Sequence, residues 1–215
     1  MDRTPITLTE DDKLAEGYGR AMYRFPGRAD VIVKIHKPLN VKRFQWLRTL
    51  LRYNRWRFGD LLTTAIEINE FSAMVARSGT VPAFAAQFLG FVQTDLGPGA
   101  LFEAVLTADG ALAPHLKQHA WTHGAEPEIE TAIDRLWDQI AAARAVVSDA
   151  NLTNVLVTGS AEDGYQLTLV DGLGERALFK RLGLSDKAYH ASIARGRVAM
   201  KKTYHWRAGQ DGPSD

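Results

Sequence analysis

Two short polar clusters flank a predicted β-hairpin in the second half of the chain, and this arrangement constrains the fold more than any other feature. Residues 155–157 and 165–170 are rich in β-forming side chains, and residues 158–164 between them supply the glycine, serine and aspartate of a turn. If the two runs pair antiparallel, the chain before the first strand lies beside the chain after the second. The sequence therefore predicts that residues 149–154 and 171–174 meet at one end of the hairpin.

Oxygen-bearing side chains are concentrated at that end. Asn154 directly precedes the first strand, Asp171 directly follows the second, and Asp149 lies on a loop just before Asn154. Oxygen ligands on neighbouring backbones suit Mg²⁺, which takes few protein ligands and completes its octahedral shell with phosphate and water. The alternative is that these residues are turn formers at strand ends, where Asp, Asn and Gly are common.

A second hairpin is predicted near the start of the chain, with Pro26-Gly27 in its turn. The strand at residues 29–35 is a β-branched run that Lys34 interrupts, at a position where an apolar side chain would pack better. Gly17 and Gly19 precede the hairpin, and glycine there lets the backbone approach a phosphate closely. Lys34 either reaches bound phosphate or faces water on an edge strand.

Apolar residues at near-helical spacing predict a helix over residues 61–75. Glu67 and Glu70 lie one turn apart on it, so they share a face and either carboxylate can reach Lys34. The alternative is two solvated glutamates on a surface helix. A second amphipathic pattern runs from Ile129 to Val147, and it predicts a helix that delivers the chain directly to Asp149.

The order of these features resembles the protein-kinase-like superfamily, in which a glycine-containing hairpin, a strand Lys, a helix Glu, Asp-x-x-x-x-Asn and a metal-binding Asp follow one another. The fuller resemblance is to a small bacterial family, the PhoP regulatory network protein YrbL family. The segments that carry it are residues 23–26, 90–99 and 170–175. The resemblance covers the chain from about residue 14 to residue 200, with an insertion at residues 41–58.

The resemblance implies a single α+β domain with a minimal protein-kinase-like fold. Its N-terminal lobe, residues 10–103, would hold a small antiparallel sheet with one helix and the basic helical insertion. Its reduced, mainly helical C-terminal lobe would span residues 104–207, followed by a frayed tail at residues 208–215. The ligands implied by the resemblance are ATP and Mg²⁺.

The resemblance also assigns roles to residues of the N-terminal lobe. Lys34 would bind the ATP phosphates beneath Gly17 and Gly19, and Glu67 would orient Lys34. Glu67 is preferred to Glu70 because the family has a Glu-aliphatic-x-x-aromatic pattern here. Glu103 would be the acid of the hinge on which adenine rests.

In the C-terminal lobe, the resemblance makes Asn154 and Asp171 the metal ligands and Asp149 the catalytic base for an acceptor hydroxyl. Asn151 stands where kinases carry a Lys or His, so a charge that would neutralise the transferred phosphoryl group is missing. Few residues follow Asp171, and we therefore expect a non-peptide acceptor. The same departures allow a second hypothesis, a catalytically silent pseudokinase that acts as a nucleotide-binding regulatory module in a stress-response network.

Basic residues are concentrated in two segments, residues 42–57 and 180–207, although the net charge is only +1. A third hypothesis is therefore a protein that binds RNA or a membrane surface, or another acidic partner, through these segments.

The chain contains no cysteine, so disulfides and thiolate metal sites are excluded. Its first residues lack the basic and apolar regions of a signal peptide, and no apolar run approaches the ~20 residues of a membrane span. We expect a cytoplasmic protein without a transmembrane segment.

Overall fold

The structure is a computed structural model, and it describes residues 5–17, 19–37, 55–174 and 185–210. It is an α+β protein with antiparallel sheets and, over the described residues, four helices of eight residues or more. The chain divides into two compact units. The first unit comprises Met1–Ile68 and Ala86–Ala104, and the second comprises Asn69–Ala85 and Val105–Asp215.

The first unit is built on a five-stranded antiparallel sheet with the strand order β1-β2-β3-β5-β4. The predicted hairpin with Pro26-Gly27 in its turn is confirmed, because it joins β2 to β3. The strands are β1 (Lys13–Glu16), β2 (Arg20–Phe25), β3 (Arg28–His36), β4 (Phe88–Thr94) and β5 (Gly97–Glu103).

Alternation along the strands puts neighbouring residues on opposite faces of this sheet. Val33 and Ile35 belong to the apolar face, where they form a buried cluster with Leu8, Ala21 and Tyr23.

Lys34 lies between Val33 and Ile35 on β3 and therefore points to the other face of the sheet. Lys34 pairs with Met22 on β2 and with Ala100 on β5, and Arg20 pairs with His36. The sheet therefore carries Arg20, Lys34 and His36 on one face.

The predicted helix over residues 61–75 is confirmed as α1 (Leu62–Ser78). A helical turn at Arg55–Phe58 and a 3₁₀ turn at Gly59–Leu61 lead into it. The boundary between the two units falls within α1, after Ile68. The basic insertion predicted at residues 41–58 lies outside the described residues apart from that first turn.

The second unit contains the other three long helices and a two-stranded sheet. The elements are α2 (Leu116–His123), α3 (Pro127–Ala142), β6 (Val155–Thr158), β7 (Gln166–Leu169) and α4 (Asp186–Ala208). The helix α3 contributes six residues to the buried core and packs against α4 and β7. Within the described ranges, no helix has the length and apolar character needed to cross a membrane.

The predicted C-terminal hairpin is confirmed, because β6 and β7 pair antiparallel with Val155 opposite Leu169. The predicted amphipathic helix is confirmed as α3, but the prediction that it leads directly to Asp149 is wrong. The helix α3 ends at Ala142, and Arg144 adopts a positive φ of 49° that a helix cannot continue through. Val147 continues the helical spacing in the sequence but forms a β-bridge with Leu173 instead.

Candidate functional site

The turn between β1 and β2 contains both predicted glycines and is closed by its own backbone. The Gly17 N–H donates to the Arg20 carbonyl over 2.8 Å, and the Lys37 N–H donates to the Gly19 carbonyl over 3.0 Å. The Lys37 Nζ also donates to the Gly17 carbonyl over 3.2 Å. The turn is therefore shaped by hydrogen bonds that already use the Gly17 amide.

Lys34 lies inside the sheet and not at its edge. Its strand β3 has β2 on one side and β5 on the other, and the residue is only 4% exposed. The Lys34 Nζ lies 3.9 Å from the centroid of the Phe102 ring, within the range of a cation–π contact. The alternative of an edge-strand lysine facing water is therefore wrong. A buried ammonium group is costly unless it is paired.

Glu67 lies on α1 and forms a bidentate ion pair with Arg20. The Arg20 Nη2 lies 2.9 Å from Glu67 Oε1, and the Arg20 Nη1 lies 3.3 Å from Glu67 Oε2. Both side chains are largely buried. Sequence reasoning missed Arg20, although a basic residue directly after Gly19 at the start of a strand was the signal that could have found it.

A second contact joins α1 to the same face of the sheet. The His36 Nε2 lies 2.7 Å from the Oγ1 of Thr64, which is fully buried. Thr64 and Glu67 are one turn apart on α1, and their partners His36 and Arg20 are paired across β2 and β3. The first unit thus brings Arg20, His36 and Glu67 together on the face that also carries Lys34.

Glu70 has two partners in the second unit. Its Oε1 accepts hydrogen bonds from the backbone N–H of Val146 and from Arg77 Nη2, each over 3.1 Å. Glu67 and Glu70 are both buried, so the alternative of two solvated glutamates is wrong.

The two polar segments of the second unit run beside each other, as the sequence predicts. The Ser148 N–H donates to the Gly172 carbonyl over 2.9 Å, and the Gly174 N–H donates to the Val146 carbonyl over 2.7 Å. Gly172 has a φ of +90°, and a Cβ at this position would collide with the Asp149 carbonyl. The close approach of these backbones therefore requires glycine at position 172.

Asn154 ties this pair of segments to the hairpin. Its Nδ2 donates to the Asp149 carbonyl over 3.0 Å, which turns the amide oxygen away from that carbonyl. Its own carbonyl accepts from the N–H of Val170, directly before Asp171, over 2.9 Å. Asp149, Asn154 and Asp171 are all half-buried. The predicted meeting of the two segments is confirmed.

The chemistry of this set fits a hard cation. Carboxylate and amide oxygens are the ligands of Mg²⁺, and two or three of them suffice when phosphate and water complete the shell. Over the described residues, no group of three or more His, Cys, Asp or Glu side chains is arranged to hold a metal. The assignment of Asn154 and Asp171 to Mg²⁺, with Asp149 beside them, stays a prediction.

Glu103 is the last residue of β5 and is exposed. Its N–H donates to the Gln87 carbonyl, and the Ala104 N–H donates to the Asp30 carbonyl, each over 2.9 Å. These two amides are thus used within the first unit. The role of Glu103 in a hinge stays a prediction.

Part of the second basic segment forms ion pairs with α3. Lys201 Nζ lies 2.6 Å from Asp134 Oδ2, and Arg197 pairs with Asp138. His205 Nε2 lies 3.1 Å from Glu130 Oε1. Several basic side chains of the second basic segment therefore contact α3 and stabilise the packing of α4 on it. Residues 180–184 of this segment lie outside the described residues.

The structure is thus an α+β protein. Its first unit carries the largely buried side chains of Arg20, Lys34 and Glu67, and its second unit carries the half-buried side chains of Asp149, Asn154 and Asp171. The family model of PhoP regulatory network protein YrbL matches residues 6–204. The chain therefore belongs to the PhoP regulatory network protein YrbL family. No curated protein matches it in sequence.

Proposed function

We propose that this protein has a minimal protein-kinase-like fold, binds ATP with Mg²⁺, and transfers the γ-phosphoryl group of ATP to a hydroxyl group of an acceptor. One observation carries the proposal. The Asp149 carbonyl accepts from Asn154 Nδ2 and packs against Gly172, so Asp149, Asn154 and Asp171 lie on adjoining backbones. Kinase-like phosphoryl transfer needs a base and two oxygen ligands for metal in this order along the chain.

In this proposal Asp149 orients the acceptor hydroxyl and accepts its proton. The acceptor oxygen forms the new bond to the γ-phosphorus, and the bond from that phosphorus to the bridging oxygen breaks, so that ADP leaves with the electron pair. Asn154 and Asp171 would hold Mg²⁺, whose charge would neutralise that of the phosphates.

The first unit would supply the nucleotide phosphate contacts. The burial of Lys34 supports its assignment to the phosphates, because a buried ammonium group is stabilised by anionic partners. Glu67 would orient Lys34, the turn with Gly17 and Gly19 would cover the phosphates, and Glu103 would lie near the adenine.

A second candidate is a nucleotide-binding pseudokinase that acts as a regulatory module in a bacterial stress-response network. The observation that favours it concerns Asn151, which stands where kinases carry a cation. The Asn151 side chain accepts from the Thr153 N–H and caps the 3₁₀ turn Leu152–Asn154. It supplies no positive charge to a transferred phosphoryl group.

The test is ATP turnover, measured as ADP release beside ATP binding, in the wild type and in Asp149→Asn. The control is Asp163→Asn, which changes an exposed aspartate in the turn between β6 and β7. Phosphoryl transfer predicts that Asp149→Asn lowers turnover about 10²–10⁴-fold with ATP binding preserved, because general-base catalysis contributes that much. ATP binding without turnover in the wild type would favour the pseudokinase, and absence of both would reject the two candidates.

A further inference from the structure

Glu70 contacts the segment that leads to Asp149. The residue is 2% exposed, and its Oε1 accepts from the N–H of Val146, three residues before Asp149, over 3.1 Å. A hydrogen bond from a backbone amide to a buried carboxylate is charge-assisted and stronger than one between neutral groups. The backbone of this segment is therefore held by a side chain from α1.

Arg77 completes the contact. Its Nη2 donates to Glu70 Oε1 and to the carbonyl of Arg144, each over 3.1 Å. Arg144 is the residue with positive φ that ends the run of α3. One guanidinium nitrogen thus bridges Glu70 and the turn. Arg77 fixes the carbonyl of Arg144, and Glu70 fixes the amide of Val146.

The same turn is held from α4 by Tyr189. The Tyr189 hydroxyl lies 3.1 Å from the Ile140 carbonyl and 3.2 Å from the Ala145 carbonyl. Burial raises the pKa of this hydroxyl, so it remains a donor throughout the ordinary pH range. Side chains from α1 and α4 together determine the path of residues 144–146.

That path continues without interruption into the metal-binding segments. The Val146 carbonyl accepts from the Gly174 N–H, Val147 forms a bridge with Leu173, and the Ser148 N–H donates to the Gly172 carbonyl. A shift of Val146 therefore moves the backbone on which Asp149 and Asp171 depend.

We propose that Glu70, fixed by Arg77, is a positioning residue that sets the backbone of the Asp149 segment for metal binding. In this role Glu70 acts on the metal site through the Val146 amide. This inference rests on the proposed binding of ATP and Mg²⁺.

Three variants on α1 test the proposal. Glu70→Leu removes the acceptor, Glu70→Gln keeps an oxygen that can accept from Val146 and Arg77, and Asn69→Ala changes an exposed neighbour as the control. Two quantities are measured in each variant. The first is hydrogen exchange of the amides of residues 146–149, and the second is the Mg²⁺ concentration that gives half of the ATP-induced rise in unfolding temperature.

Glu70→Leu is expected to accelerate exchange about tenfold and to raise the half-saturating Mg²⁺ concentration by a similar factor, as for the loss of one hydrogen bond to a buried amide. Glu70→Gln should restore both quantities to within about threefold of the wild type, because its oxygen still accepts. Arg77→Met, at a half-exposed side chain, should change both in the same direction and supplies the test if Glu70→Leu does not fold.

An unchanged Mg²⁺ requirement in folded Glu70→Leu, beside a wild type that responds to ATP and Mg²⁺, would overturn the positioning role alone. Unchanged exchange at residues 146–149 would also overturn it. If neither the wild type nor Asn69→Ala responds to ATP with Mg²⁺, the proposed function itself fails and this inference fails with it.

Discussion

Both terminal nitrogens of the Arg20 guanidinium group donate to the carboxylate of Glu67, over 2.9 Å and 3.3 Å. This ion pair joins the first residue of β2 to the middle of α1. The planar fork of arginine matches the two oxygens of a carboxylate, which a lysine ammonium cannot do. In the sequence, Lys34 is the evident cation for Glu67. The structure adds a second cation on the same face of the sheet.

Loss of the arginine should destabilise the first unit strongly. Arg20→Leu leaves a buried carboxylate with fewer counter-charges, and breaking a buried pair in this way costs about 3–5 kcal/mol of unfolding free energy. The double variant Arg20→Leu, Glu67→Leu should be less destabilised than the sum of the single variants. Denaturant unfolding of all three proteins measures this coupling.

The control for that cycle is Arg28→Leu, which breaks the exposed ion pair with Asp30. Exposed pairs contribute little because water and salt screen them, so the stability should hardly change. Equal effects of Arg20→Leu and Arg28→Leu would contradict the role given to the buried pair.

Gly172→Ala should lower the free energy of unfolding more than Gly164→Ala, which replaces a glycine at an uncrowded site. Gly172 and Gly164 have nearly the same φ, +90° and +87°, but only Gly172 lies against the Asp149 carbonyl. Both variants incur the left-handed backbone penalty of about 1–2 kcal/mol. The additional loss of unfolding free energy in Gly172→Ala measures the close approach, and equal losses in the two variants would mean that the segments have room to separate.

Gly196→Ala should destabilise the protein, although alanine usually favours a helix over glycine by about 1 kcal/mol. Gly196 lies in α4 against the ring of Trp137 on α3, and a Cβ there would overlap the buried ring. Overpacking of this kind costs about 1–3 kcal/mol. Thermal unfolding beside Ala199→Gly, an exposed position on the same helix, separates packing from helix propensity. A gain in stability from Gly196→Ala would show that α4 does not pack closely here.

Acid should weaken the second unit through His119. This residue is buried beside His123 and Tyr165, and its Nε2 lies 3.6 Å from Glu126 Oε2. Burial, and then the neighbouring His123, lower the pKa of His119, and Glu126 offsets only part of this effect.

A lowered pKa in the folded state means that the unfolded chain binds the proton more readily. The His119 contribution to stability is therefore complete above the unfolded pKa of about 6.5 and is lost as the pH falls through the lower folded value. His119→Gln should flatten the fall in unfolding free energy between pH 7 and pH 5, measured with urea. Equal slopes in the wild type and His119→Gln would refute the assignment. Burial also lowers the pKa of His115, so some slope should remain in His119→Gln.

Local patterns predicted much of the fold. Both hairpins follow from turn residues between β-forming runs, and α1 follows from apolar spacing. Asp149, Asn154 and Asp171 could be grouped because a hairpin brings its two ends together whatever the rest of the chain does.

Contacts that depend on register or on distant segments could not be predicted. A regular ladder from the Phe25–Arg28 pair would set Arg20 opposite Val33, on the apolar face. A shift in register between Arg24 and Phe25 instead sets it opposite His36, on the face of Lys34.

The end of α3 and the partner of Glu70 also could not be predicted, because both depend on residues that are distant in the sequence. Val147 continues the helical spacing, yet its bridge partner Leu173 lies far along the chain. Glu70 binds an amide 76 residues away, and no sequence pattern marks a backbone N–H as a partner.

Thermal unfolding with and without ATP and Mg²⁺ tests the proposed binding of this ligand through Lys34 and Asp171. A ligand at about 100 times its dissociation constant adds about 2.7 kcal/mol, which corresponds to a rise in unfolding temperature of roughly 5–10 °C for a chain of this size. We predict a Mg²⁺-dependent rise in the wild type and in the exposed controls Lys202→Met and Asp163→Ala, and its loss in folded Lys34→Met and Asp171→Ala. No rise in the wild type at millimolar nucleotide, or an equal rise in all five proteins, would mean that Lys34 and Asp171 do not bind ATP with Mg²⁺.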